Sequence, residues 1–140
     1  MLPERELYTP EIGPPGPQPG LDQIYQEWGE EAMRDLVSRF YDLLLKSKIA
    51  HMFPGEMKIA KQKQADFIIQ VTGGPSYYLT NWGPARMRMR HFPFEIDEDA
   101  RLEWLRCYLE SLDQFNFSQK SKQVFVRFLE EFSKWMVNKR

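Results

Sequence analysis

Every long segment of this chain repeats its apolar residues at steps of three and four, and none alternates apolar with polar as a half-buried strand would. That periodicity restricts the chain to helices. After Gly29, with Glu30 and Glu31 in the first turn, Leu36, Phe40, Leu43 and Leu44 mark a helix of about 17 residues that Pro54-Gly55 closes off. Lys58 to Val71 reads as a second helix, with Ala60, Gln64, Phe67 and Ile68 on one side; Gly73-Gly74-Pro75 ends it, and a loop is expected to follow. Asp97 is a plausible N-cap for a helix whose apolar face would carry Leu102, Leu105, Leu109 and Leu112, with Trp104 and Tyr108 beside the stripe. A last helix begins near Ser118 and carries Phe125, Phe128, Leu129, Phe132, Trp135 and Met136. The class is all-α, with five main helices and a short one before His91.

With 140 residues, 42% of them hydrophobic, the chain suits one domain with a real core. Residues 1–20 stand apart, because Pro-Pro-Gly-Pro-Gln-Pro-Gly at 14–20 lacks amide donors and favours extended or turning backbone. They read as a flexible extension that adds little core, leaving 21–140 as the folded domain. A net charge of −1 argues against a general nucleic-acid binder, which draws affinity from excess cations. Cys107 is the only cysteine, which suits a reducing compartment. No signal peptide and no run of roughly 20 apolar residues is visible, so the reading is soluble, cytoplasmic and away from membranes.

The stretch most suggestive of chemistry is Arg86-Met87-Arg88-Met89-Arg90-His91-Phe92-Pro93-Phe94. One of two histidines sits where a helix gives way to a proline corner, among cations and large apolar groups. A haem pocket needs a neutral imidazole in an apolar slot and Arg or Lys near the propionates. Met87 lies four residues before His91 and shares its face, so its thioether would floor such a slot. The plainer reading is a histidine favourably placed at the negative end of a helix dipole. Tyr41 and Trp104 also have plain readings as core aromatics, Gln64 as a solvated helix residue, and Lys63 as part of a wet face with Lys58 and Lys61.

Further motifs fall in a recognisable order: Phe40-Tyr41, Met52-Phe53-Pro54, Gly73-Gly74-Pro75 with Tyr78, the Arg86 to Ile96 stretch, and Trp104-Leu105-Arg106-Cys107, its tryptophan 13 positions after His91. From about Tyr25 to Val137 the chain resembles a group II truncated haemoglobin. The resemblance implies a globin-like, two-over-two helical sandwich around haem b. It makes His91 the iron ligand and Phe94 its neighbour at the next corner. Tyr41, Gln64 and Trp104 become the polar distal residues, with Gln64 orienting Tyr41 or meeting the ligand itself. Ala60 becomes the small residue at the distal gate, Phe53 the aromatic against the ring, and Phe67 a core aromatic. Lys63 and Arg90, with Tyr78 as helper, become the groups near the propionates. The link from Tyr41 to Phe53 is one residue shorter than the family pattern, and His51 within it reads as exposed loop.

The function so implied is binding of dioxygen, carbon monoxide and nitric oxide, for chemistry on bound oxygen or sensing rather than bulk delivery. A nitric oxide dioxygenase or peroxidase-like activity would need a reductase as partner, since the chain has no flavin or nicotinamide fingerprint. A monomer or a homodimer is compatible with the sequence. The alternative is a haem-free helical interaction module using Arg86, Arg88, Arg90, Arg101 and Arg106 as a cationic patch for an acidic partner or nucleic acid.

Overall fold

The computed structural model describes residues 7–11, 13–16 and 18–140. Among these there are seven α-helices and no strand: α1 Ile24–Trp28, α2 Glu30–Leu44, α3 Met57–Val71, α4 Tyr77–Trp82, α5 Met87–Arg90, α6 Glu98–Leu112 and α7 Gln119–Met136. Single 3-10 turns cover Leu21–Gln23 and Ala50–Met52. Four helices are long, and they pack as α2 with α3 and α6 with α7, the pairs meeting where α2 lies on α6. Their ends follow the expected chemistry. Asp97 Oδ1 accepts the Ala100 amide at 2.9 Å, and Ser118 Oγ accepts that of Ser121 at 3.2 Å. Gly29 leads into α2 at φ 87°, a left-handed conformation that costs glycine nothing.

The core forms along the α2 stripe Met33, Leu36, Val37, Phe40, Tyr41 and Leu44, which faces Phe125, Phe128 and Leu129 of α7 and Tyr108 and Leu112 of α6 within one cluster. Trp28 carries α1 onto this body, stacking on Phe117 at 4.0 Å and donating its indole N–H to Ser121 Oγ. The Gly73 backbone passes so close to Asp22 that a Cβ there would lie 1.9 Å from the Asp22 carbonyl oxygen. Glycine is the residue that fits.

Two expectations need correction. The stripe read on α6 is rotated: Leu102 and Leu109 are 52% and 42% exposed, while Arg101, Leu105, Tyr108 and Leu112 are buried. Both sets have helical spacing and share two members. The outcome is decided by Tyr108, which stacks on Phe40 at 3.6 Å and gains more from burial than a leucine at the rim. The loop expected after Pro75 contains α4, a helix of six residues too short to show a period. Of the extension 1–20, residues 1–6, 12 and 17 lie outside the described residues; in the remainder Pro10 is buried, the Tyr8 amide donates to Asn138 O at 3.0 Å, and Gln18 hydrogen-bonds Glu131.

Candidate functional site: an apolar cavity between His91 and Tyr41

A cavity of about 500 Å³ opens between α3 on one side and α5 on the other, within the ~300–1,000 Å³ typical of cofactor-sized sites. Of the sequence-predicted residues, Tyr41, Phe53, Ala60, Lys63, Gln64, Tyr78, Met87, Arg90, His91, Phe94 and Trp104 all line it. Phe67 does not. It is buried behind the wall, 5.2 Å from Phe132 and 5.9 Å from Tyr78, both of which do. His51 is exposed in its 3-10 turn and is not part of the lining.

His91 caps the single turn α5, and its Nδ1 is 2.5 Å from the Met87 carbonyl oxygen four residues back. A carbonyl only accepts, so Nδ1 carries the proton and Nε2 keeps its lone pair. Burial pulls the imidazole pKa below its ordinary 6.5, against the smaller opposing effect of the Met87 bond. The ring is therefore neutral at pH 7 with one tautomer selected, as a metal-binding imidazole requires. Arg90 beside it is fixed by three backbone carbonyls, donating Nε to Ala85 and Nη2 to Trp82 and Pro84, with the guanidinium 5.5 Å from the Tyr78 ring centre. Trp82 is held in turn by buried Asp66, which accepts its indole N–H at 2.9 Å along with donors from Arg34 and Asn81. Lys63 lies 5.0 Å over the Trp82 ring. Two cations thus stand on one side of the cavity, attached to the same tryptophan.

Elsewhere on the lining, the Tyr41 hydroxyl has no hydrogen-bond partner among the described residues, though Tyr41 is only 8% exposed. Burial pushes its pKa up to about 12, so it remains a proton donor at any working pH. Its ring meets Phe53 edge-on at 6.1 Å. The half-buried Trp104 indole N–H is likewise without a partner among the described residues, its ring held edge-on by Phe40 and Tyr108. Buried donors without acceptors are costly, and native structures tolerate them mainly where a ligand or water completes the bond. Gln64 corrects an expectation: its Nε2 donates at 2.6 Å to Tyr108 rather than turning to Tyr41. Tyr108 is fully buried, and this is the one side-chain bond its hydroxyl makes among the described residues, so the amide goes where desolvation is greatest.

Sequence reasoning missed Ile49, Met57, Ile96, Phe132, Ser133 and Met136, which complete the walls. It also misread Arg101, which lines the cavity, is buried, donates Nε to Ser133 Oγ at 3.0 Å and pairs with Glu98. Four of the five arginines read as a cationic patch are engaged within the fold, exposed Arg86 being the exception. Arg88 and Arg90 are occupied by backbone carbonyls, and Arg106 pairs with Glu103 and Glu110.

An apolar cavity lined by both a tautomer-selected histidine and unpartnered donors suits a haem pocket in an all-helical domain. Residues 23–138 match the family described as bacterial-like globin. The chain is 30% identical over 115 residues to group 2 truncated hemoglobin YjbI of Bacillus subtilis (strain 168), covering 81% of this chain and 87% of that protein. Among solved structures, phosphate-bound Hell's gate globin IV superposes with a TM-score of 0.81 at 38% identity, covering 85% of this chain and 76% of that one. The group II truncated hemoglobin of Bacillus anthracis gives 0.80 at 28% identity, covering 83% and 96%. The chain belongs to the bacterial-like globins, and within them to the group II truncated haemoglobins. It is a haem-binding globin of a family that binds diatomic gases such as oxygen, and no helix among the described residues is long and apolar enough to cross a membrane.

Proposed function

We propose that this globin binds haem b through His91 Nε2 and retains dioxygen on the Tyr41 side of the cavity rather than delivering it. The observation that supports this reading is the pair of unpartnered donors, the Tyr41 hydroxyl and the Trp104 indole N–H, lining the same cavity as a neutral imidazole. The haem would supply a redox-active iron with one open coordination position. Met87, Phe94 and Phe53 line the cavity and would pack against the bound ring. Lys63 and Arg90 answer the propionate charge, and Arg90 meets it already oriented by the Trp82, Pro84 and Ala85 carbonyls, so little side-chain freedom is lost on binding.

Dioxygen bound here would carry partial negative charge at its far end, which the two unpartnered donors of this apolar cavity would stabilise. The consequence is slow release. Gln64 donates to Tyr108, which leaves the Tyr41 hydroxyl to the ligand. A retained and polarised ligand is suited to nitric oxide dioxygenation or peroxidase-like chemistry with an external reductase. One of the matched structures is described as a truncated oxygen-avid haemoglobin from Bacillus subtilis, 29% identical with a TM-score of 0.79, and the same property is proposed for this chain. Stopped-flow displacement tests it. The expected result is slow dioxygen release that accelerates when either donor is removed, and fast, donor-independent release would refute the retention reading.

A further inference from the structure

The helix that carries His91 is a single turn, Met87–Arg90, and one turn of helix does not support itself. It is entered through Arg86 at φ 39°, the one non-glycine residue with positive φ among those described, and Pro93 follows two residues after His91. The bond from His91 Nδ1 to the Met87 carbonyl fixes the ring within this turn, but Met87 belongs to the same turn and moves with it. The position of the turn must come from outside.

It comes from the chain after α7. Asn138 is fully buried, and its side-chain amide is placed by what surrounds it: Nδ2 donates to His91 O at 3.2 Å and Phe94 O at 3.0 Å, while Oδ1 accepts the Ile96 amide at 2.9 Å. Two carbonyls on one side and one N–H on the other allow only this orientation. The Asn138 main chain donates to Ile96 O and accepts from the Tyr8 amide. From within the turn, Arg88 donates Nη1 to Trp135 O at 2.5 Å and Val137 O at 2.9 Å and Nη2 to Tyr8 O at 2.8 Å, its guanidinium 4.6 Å over the Trp135 ring.

We propose that Asn138 is a positioning residue for the proximal histidine, and that the tail 135–138, tied to the turn by Arg88 and to the extension through Tyr8, sets where the His91 imidazole stands in the cavity. This rests on the reading of His91 as iron ligand. Its action reaches a diatomic ligand through the iron, so it must alter dioxygen and carbon monoxide kinetics together, whereas the distal donors discriminate between them.

The test uses the full-length holoprotein with Asn138→Ala, read by ferrous resonance Raman and by ligand kinetics. One haem per chain is retained, the iron–histidine stretching band shifts and broadens, and the rates for both ligands change in the same direction by about 3- to 10-fold, as a fraction of the three lost hydrogen bonds reaching the iron predicts. Arg88→Met, which leaves Asn138 in place, shifts the band the same way by less, and it decides the matter should Asn138→Ala fail to fold. An unchanged band and unchanged rates in variants whose melting temperature has fallen would make the tail a structural strap only and overturn the proposal. Absence of any iron–histidine band in the unmutated protein would instead remove the ligand reading, and this inference with it.

Discussion

Replacing Tyr41 by phenylalanine removes one oxygen atom from the cavity wall and nothing from the packing around it. The ring keeps its edge-on contacts with Phe40 and Phe53. The hydroxyl makes no hydrogen bond to the described residues, so its loss leaves no partner unsatisfied. Removing an unpaired, desolvated polar group is neutral or mildly favourable for folding, and the melting temperature of the haem-free Tyr41→Phe protein should equal or slightly exceed that of the parent. Ligand retention should move the other way. A hydrogen bond to a charge-bearing acceptor is worth roughly 1.5–3 kcal/mol, so dioxygen release should accelerate by about 10- to 100-fold. Carbon monoxide, with less negative charge on its outer atom, should be released at nearly the parental rate. The assay is stopped-flow displacement of each ligand from the ferrous protein, paired with thermal melts of the haem-free form. Dioxygen release at the parental rate, or an equal acceleration of both ligands, would mean that Tyr41 acts as a packing group or gate. A large fall in melting temperature would mean that its hydroxyl has a protein partner after all.

Tyr108→Phe should behave oppositely, costing about 1 kcal/mol of stability by releasing the half-buried Gln64 amide, with a smaller effect on dioxygen release; equal stability in a denaturant titration would contradict the assignment of that bond. In acid, the folded state holds His91 below its ordinary 6.5, so the unfolded chain takes the proton first; the haem-free protein should lose stability as pH falls below about 6.5, before carboxylates such as Glu30 titrate, and His91→Leu should erase that upper part of the pH profile. Gly73→Ala should destabilise by about 2 kcal/mol or more, since its φ is 99° and the added Cβ would meet the Asp22 carbonyl; a parental melting temperature would refute this close approach. Asp66→Ala should cost about 3 kcal/mol and loosen the Trp82 and Arg90 side of the cavity, measurable as faster transfer of haem to an acceptor protein.

The long helices were legible because each carries a repeating apolar face and a recognisable start: Gly29 before α2, Asp97 before α6, Ser118 before α7. What misled the reading of α6 is that Leu102 and Leu109 satisfy the same period as Arg101 and Tyr108; only the Phe40 stack and the Gln64 bond choose between them, and both are long-range. α4 was invisible because six residues hold no full period. Most of the cavity residues were found by the order of motifs, but Ile49, Phe132 and Ser133 read as ordinary helix or turn residues, since lining a cavity leaves no local mark. The arginines were partly decipherable: Glu98 lies three residues before Arg101, and Glu103 and Glu110 flank Arg106 at helical spacing, enough to foresee paired rather than free cations. The partners of Arg88 and Arg90 are backbone carbonyls, which no side-chain pattern announces.

The central claim is that His91 Nε2 is the single protein ligand to a haem iron, and a hemin titration of His91→Gly beside the parent tests it most directly. The parent should take up one hemin per chain and, when reduced, show an iron–histidine stretching band. His91→Gly should bind weakly and without that band, and added imidazole should restore both, the small ligand entering the space the side chain left. Equal hemin affinity in the two proteins, with the same histidine band persisting in the variant, would contradict the account.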